Sequence, residues 1–184
     1  MIKEIPNYLT ENECSMLIGL GESGQLDAGR VANNKLAYRK ARVTWLKTYS
    51  PLVDKIKNDV AELTGYPVEN QEDFHFVKYN VDGEYKVHTD GKDRPKTALV
   101  YLNDGFTGGE TEFPKLNTII KPETGKLVIW DNTLEDGSND PNSLHAGLPV
   151  IAGTKYIGVI WIRGEKYKKW NIYQIQKYLI GTED

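Results

Sequence analysis

The chain has 184 residues, 39% apolar and 27% charged, with a formal net charge of −3. That length suits one domain with its own hydrophobic core, and the balance is that of an ordinary folded protein. Lysines and arginines scattered among acids exclude phosphate-backbone binding as the main task, and a lone Cys14 excludes an intrachain disulfide or a cysteine-rich zinc site.

The N-terminus, Met1-Ile2-Lys3-Glu4-Ile5-Pro6, has no basic segment leading into an apolar run, so no signal peptide is read there. No stretch of about 18 apolar residues follows anywhere. A soluble protein in a reducing, cytoplasmic setting is the expectation. Thr10-Glu11-Asn12-Glu13 has the capping-box pattern and predicts a helix to about Leu20, stopped by Gly21. Residues 21–37, rich in Gly, Asn and Ala, read as a long loop. A second helix starts at Ser50 with Pro51 in its first turn, buries a face of Leu52, Val53, Ile56, Val60 and Leu63, and ends at Gly65.

From about residue 73 the pattern turns extended. Strands are predicted at 74–79, 85–89, 97–102, 110–113, 117–120, 126–130 and 155–162, separated by Gly, Pro, Asn and Asp. Short strands behind two helices predict an α+β, mainly β fold: a sandwich or jelly roll with the N-terminal helices packed outside. Residues from Glu165, with Trp170, Ile172, Tyr173, Ile175, Tyr178 and Leu179, have near-helical spacing and predict a helix docked on the body or on another subunit.

The chain has three histidines, and two sit in contexts suited to metal ligation. In Tyr85-Lys86-Val87-His88-Thr89-Asp90, strand geometry sends His88 and Asp90 to one face. His145, in Ser143-Leu144-His145-Ala146-Gly147, would complete two nitrogens and a carboxylate. Such a set leaves one face of an octahedral iron open for an oxo-acid and dioxygen. The tripeptide alone also fits a plain turn, and His145 a loop histidine. His75 is expected at the surface. Lys155 opens an apolar strand; it either faces inward to an anionic ligand or is an edge lysine in water. Arg39 is read as a solvated strand end, while Arg42 is left open.

Taken together, His88-x-Asp90, Tyr101-Leu102-Asn103, Gly108-Gly109-Glu110-Thr111-Glu112-Phe113-Pro114, His145 and Lys155 resemble, in order and spacing, the prolyl 4-hydroxylase-like 2-oxoglutarate/iron(II) oxygenases over roughly residues 74–163. The resemblance implies a double-stranded β-helix with iron(II) on His88, Asp90 and His145, and the distal carboxylate of 2-oxoglutarate on Lys155. It implies that Tyr79 and Tyr101 line the cosubstrate pocket, Tyr101 being the better candidate for that carboxylate, though either also fits barrel packing. Trp130 and Trp161 are expected to fill the barrel, Trp161 with a second option beside substrate. Because the carboxylate ligand is kept, where related halogenases lack it, hydroxylation is implied, with succinate and carbon dioxide released and ascorbate keeping iron reduced.

The expected substrate is a proline-containing peptide or protein, 4-hydroxylated, with the loop at 21–37 as a lid. A free amino acid or other small molecule is the alternative substrate. A non-catalytic jelly-roll binding module, or an interaction protein acting through residues 165–184, is a different class. The expected plan is a single domain: helical support at 1–70, catalytic core at 73–163 and an extension at 165–184. No nucleic acid or membrane partner is expected, and the chain is expected to be a monomer or a weak homodimer.

Overall fold

The computed structural model describes residues 1–24, 26–28, 38–46 and 50–167. Its first elements are β1 (Ile2–Ile5), α1 (Glu11–Ser23), β2 (Asp27–Ala28), β3 (Arg42–Leu46) and α2 (Pro51–Thr64). Then come β4 (Phe74–Tyr79), β5 (Tyr85–His88), β6 (Lys96–Tyr101), β7 (Thr107–Gly108) and β8 (Thr111–Phe113). The series closes with β9 (Thr118–Ile120), β10 (Leu127–Asp131), β11 (His145–Gly147), β12 (Val150–Ala152) and β13 (Lys155–Ile162). Among these residues the strands form a seven-stranded sheet, β1-β10-β6-β13-β4-β3-β2, a four-stranded sheet, β5-β11-β8-β9, and the pair β12-β7. All the pairings are antiparallel, the arrangement of a jelly roll.

Alternation along the large sheet explains two separate cores. Phe74 and Phe76 of β4, Ala98 and Val100 of β6, Leu127 and Ile129 of β10, and Ile160 and Ile162 of β13 pack against α1 and α2. Their neighbours one position away, including Val77, Tyr79, Leu99, Tyr101, Val128, Trp130, Ile157, Val159 and Trp161, face the interior of the roll with Phe113 and Ile120 from the smaller sheet. Both faces of the large sheet are therefore covered, one by helices and one by the second sheet.

The capping box forms as the sequence predicts: Glu13 N–H donates to Thr10 Oγ1 at 3.2 Å and Thr10 N–H donates to the Glu13 carboxylate at 2.8 Å. The helix runs past the expected stop to Ser23. Gly21 lies inside it, buried, and an added Cβ would sit 2.5 Å from the Phe76 ring. This glycine serves close packing rather than termination. In α2, Leu52, Val53, Ile56 and Val60 are buried while Leu63 is exposed, and Gly65 caps the end at φ 75°.

The N-terminal segment is more than helical support. Its β1 and β3 join the large sheet by pairing with β10 and β4. Only Gly24 and residues 26–28 of the expected 21–37 loop are described beyond α1, with Asp27–Ala28 paired to β3; the rest of the lid lies outside the described residues, as does the C-terminal stretch from residue 168.

Candidate active site

His88 ends the edge strand β5, directly opposite His145, which opens β11. Their rings approach to 4.2 Å between centroids. Asp90 lies two residues past the strand end, so the ladder no longer fixes it. Its Oδ1 is 3.7 Å from His88 Nε2 and its Oδ2 is 3.9 Å from His145 Nε2. One ligand atom from each of the three residues lies within 4.8 Å of the others. Each imidazole bonds through Nδ1 to a backbone carbonyl two residues earlier, His88 to Lys86 at 2.7 Å and His145 to Ser143 at 2.8 Å. With Nδ1 donating, each Nε2 carries a lone pair aimed at the shared space, the tautomer a metal ligand requires.

Burial, followed by the neighbouring His145, pushes His88 down to about 3. Burial opposes charge on Asp90, but His145, His88 and the Thr97 hydroxyl outweigh it and hold the carboxyl below its usual range. Two imidazoles beside a carboxylate fit a divalent iron. Packing holds the rings still: Tyr85 stacks on His88 at 3.5 Å between centroids, and Trp130 meets His145 edge-on at 4.9 Å.

The three residues open into a cavity of about 40 Å³. Lys155 lies in the same cavity with 2% of its surface exposed. The edge-lysine option is thereby discarded. Strand alternation sends Lys155, Ile157, Val159 and Trp161 of β13 into the cavity together. The ammonium donates to the Gly109 carbonyl at 2.6 Å and sits 5.2 Å and 5.6 Å from the ring centres of Tyr79 and Tyr101. Burial pushes it down to about 7, with Glu110 pulling weakly the other way. A buried cation bonded to one carbonyl retains N–H groups for an anion. Tyr79 lines the cavity, whereas the fully buried Tyr101 donates its hydroxyl to Thr111 at 2.6 Å.

Two expectations are corrected. Arg39 is 6% exposed rather than solvated. Residues 38–40 lie along β5, bridging Arg39 to Tyr85, and this carries the guanidinium into the cavity wall, 4.9 Å from the Tyr85 ring centre. His75 is 3% exposed, stacked on Trp45 at 4.3 Å and tilted against Trp161 at 5.0 Å. Its opposite parity to Phe74 and Phe76 was rightly read, but that side faces the roll rather than water. Arg42 is exposed and donates to the Leu26 carbonyl at 2.9 Å, so it stands apart from the site. Thr97, Tyr85 and Leu99 also line the cavity. Thr97 and Leu99 share the parity of Tyr101 on β6, a signal present in the sequence.

The 2OG-Fe(II) oxygenase superfamily model matches residues 74–163, the span that holds every cavity-lining residue named above except Arg39. A viral collagen prolyl hydroxylase from Paramecium Bursaria Chlorella virus-1, solved with 2-oxoglutarate, superposes with a TM-score of 0.77 at 30% identity, covering 89% of this chain and 96% of that one. Prolyl 4-hydroxylase subunit alpha-1 of Gallus gallus is 32% identical over 149 residues, 72% of this chain, which spans only 29% of that subunit. Prolyl 4-hydroxylase 5 of Arabidopsis thaliana is 28% identical over 198 residues, covering 88% of this chain and 68% of the relative. The chain belongs to the 2-oxoglutarate/iron(II) oxygenase superfamily, in its prolyl 4-hydroxylase-like branch.

Proposed function

We propose that the chain hydroxylates a peptidyl proline at C4, with iron(II) on His88, Asp90 and His145 and 2-oxoglutarate between the iron and Lys155. The observation that carries this is one cavity holding three converging ligand atoms and, on β13 of the other sheet, a buried ammonium. When bound, iron(II) and 2-oxoglutarate supply the dioxygen chemistry that oxidises a C–H bond and yields succinate and carbon dioxide. The chain's own residues orient and enclose. Lys155 takes the far carboxylate, and Tyr79, which lines the cavity, is better placed to join it than Tyr101, whose hydroxyl is committed to Thr111. Trp130 and Tyr85 brace the imidazoles, and Arg39 and Trp161 wall the cavity.

Relatives named as prolyl hydroxylases, from virus to animal, support proline as the substrate over a free amino acid. One more distant structure, a prolyl hydroxylase 18% identical to this chain and in complex with a peptide fragment, shares its fold. Ascorbate is the proposed reductant that keeps the iron ferrous. A single domain is proposed, with residues 73–163 as its catalytic core and residues 165–184 as an extension. Among the described residues no helix is long and apolar enough to cross a membrane; a cytoplasmic, monomeric or weakly dimeric protein is the accompanying proposal.

The test is mass spectrometry of a proline-containing peptide library, with free proline and other amino acids alongside, after incubation with iron(II), 2-oxoglutarate and ascorbate. The expected result is a gain of one oxygen on peptidyl proline, matched by succinate and abolished in Asp90→Ala. Product on free amino acids alone would move the proposal to a small-molecule hydroxylase. Neither keto-acid consumption nor retained iron in the unaltered chain would end it.

A further inference from the structure

Asp90 has left the β5 ladder, so something else must fix its carboxylate. The side chain that does so comes from β6: Thr97 Oγ1 donates to Asp90 Oδ2 at 2.5 Å. Thr97 is itself gripped by Asn132, fully buried just after β10, whose Nδ2 donates to Thr97 Oγ1 at 2.8 Å and to the Arg94 carbonyl at 2.9 Å. The Arg94 carbonyl can only accept, which fixes Nδ2 rather than Oδ1 on that side. Thr97 Oγ1 is therefore an acceptor toward Asn132, and its single proton points at Asp90. Asn132 Oδ1 finds no partner among the described residues, an unsatisfied buried acceptor that ordinarily costs about 1–3 kcal/mol. The position keeps an amide for its two donors in spite of that cost.

The main chain of Asn132 extends the same grip. Its N–H donates to the Pro95 carbonyl at 2.7 Å, and its carbonyl accepts from Asp140 N–H at 2.9 Å. Ser143 Oγ donates to the Asp140 carbonyl at 2.7 Å, and the Ser143 carbonyl accepts from His145 Nδ1 at 2.8 Å. One buried residue thus stands behind both the carboxylate and the distal imidazole.

We infer that Asn132 is a positioning residue for the metal site, acting through Thr97 to fix the direction of the Asp90 carboxylate. The inference rests on the proposed iron site and goes beyond it by naming a directional relay, Asn132 to Thr97 to Asp90. Residues that orient a ligand without touching the metal typically govern about 10- to 100-fold of metal affinity.

The experiment measures cobalt(II) affinity by its visible absorption in the otherwise metal-free full chain, with thermal melts of each metal-free variant alongside. Thr97→Val, which keeps shape and removes the hydroxyl, is expected to weaken cobalt binding roughly tenfold or more. Asn132→Leu, close in volume, is expected to lose a similar factor while melting near the unaltered chain. Thr97→Ser, which restores the hydroxyl, should return affinity to within about threefold. The double variant decides the mechanism, since groups that act in series are not additive. Thr97→Val with Asn132→Leu should bind no more weakly than Thr97→Val alone. Multiplying losses would overturn the relay, as would an Asn132→Leu site that binds cobalt normally. Asn132→Ala repeats the comparison if leucine prevents folding. An unaltered chain that binds no cobalt would instead sink the metal site itself.

Discussion

The two faces of the seven-stranded sheet are built from the same strands, one residue apart, and they do different work. Toward the helices, β4, β6 and β13 present Phe74, Phe76, Ala98, Val100, Ile160 and Ile162, carbon against carbon. Toward the roll, the same strands present His75, Tyr79, Thr97, Tyr101, Lys155 and Trp161, each bringing a polar atom into a buried space. Burial of apolar surface stabilises, whereas burial of unpaired cations and ring nitrogens costs free energy. The comparison therefore assigns stability to one side and chemistry to the other. It also explains why a lysine pushed down to about 7 is tolerated: the helix face holds the sheet that carries it.

The largest test removes a pillar from the stable side. Phe74 is buried, and Gly158 on β13 makes room for its ring, since a Cβ there would collide with it. Phe74→Ala is expected to lower folding free energy by about 3–5 kcal/mol, the cost of an emptied aromatic site. Denaturant unfolding measures it. At a temperature where the variant is still folded, cobalt(II) affinity should match the unaltered chain. Equal damage to both properties would erase the division between faces.

How far that division was legible in the sequence differs by residue. His88, Asp90, His145 and Lys155 stood out because each broke a local pattern: imidazoles beside a carboxylate, a lysine opening an apolar run. The apolar, β-branched composition of residues 155–162 gave β13 its boundaries but left open which way Lys155 points. Period-two alternation gave no information on which side of a sheet meets water, so His75 was assigned to solvent although Trp45 and Trp161 pack against it. Arg39 was missed for a related reason: its burial depends on residues 38–40 folding along β5, a contact across 46 positions to Tyr85. β7 and β12 have two and three residues, too few to display a period. Gly21 read as a stop because a glycine chosen for Phe76 looks the same in sequence as one chosen for a cap. Asn132 left no trace at all, since its role is set by donors facing Arg94 and Thr97, which only the fold brings together.

The next effect sharpens the chemical side. Lys155→Met keeps the volume and removes the charge, and 2-oxoglutarate should bind about 10- to 100-fold more weakly, the 1.5–3 kcal/mol of a charged hydrogen bond. Titration calorimetry measures it. Stability should not fall with it. Because the lysine is held at about 7 when folded against 10.5 ordinarily, the unfolded chain binds more protons between those values, so stability of the unaltered chain rises with pH across that window. The methionine variant should lack that rise and be as stable or more so near neutrality. For the cosubstrate the sign reverses: its carboxylate favours the ammonium, so affinity should be flat below about pH 7 and decline above it, with proton uptake on binding. Affinity that climbs from pH 7 to 9 would remove Lys155 from the anion.

The smallest effect concerns His75, a polar group on the chemical face that no ligand is proposed to touch. Burial foremost, with Arg39 and Arg94 nearby, holds its pKa well below the usual value, and its Nδ1 has no partner among the described residues. It is buried neutral, while in the unfolded chain it takes up a proton below about 6.5. The unfolded state then binds the extra proton, so the folded state loses stability as pH falls through 6.5, by at most about 1.4 kcal/mol per pH unit from this residue. His75→Phe keeps a ring against Trp45 and Trp161 and cannot take up that proton. Urea unfolding at pH 7, 6 and 5 should find the variant within about 1 kcal/mol of the unaltered chain at pH 7, with a shallower fall toward pH 5. His88, pushed down to about 3, contributes acid sensitivity of the same sign and remains in both proteins, so the variant's slope should shrink rather than vanish. Parallel slopes would mean that His75 already reaches water, and the interior face at β4 would then have to be more open than the packing of His75 against Trp45 and Trp161 allows.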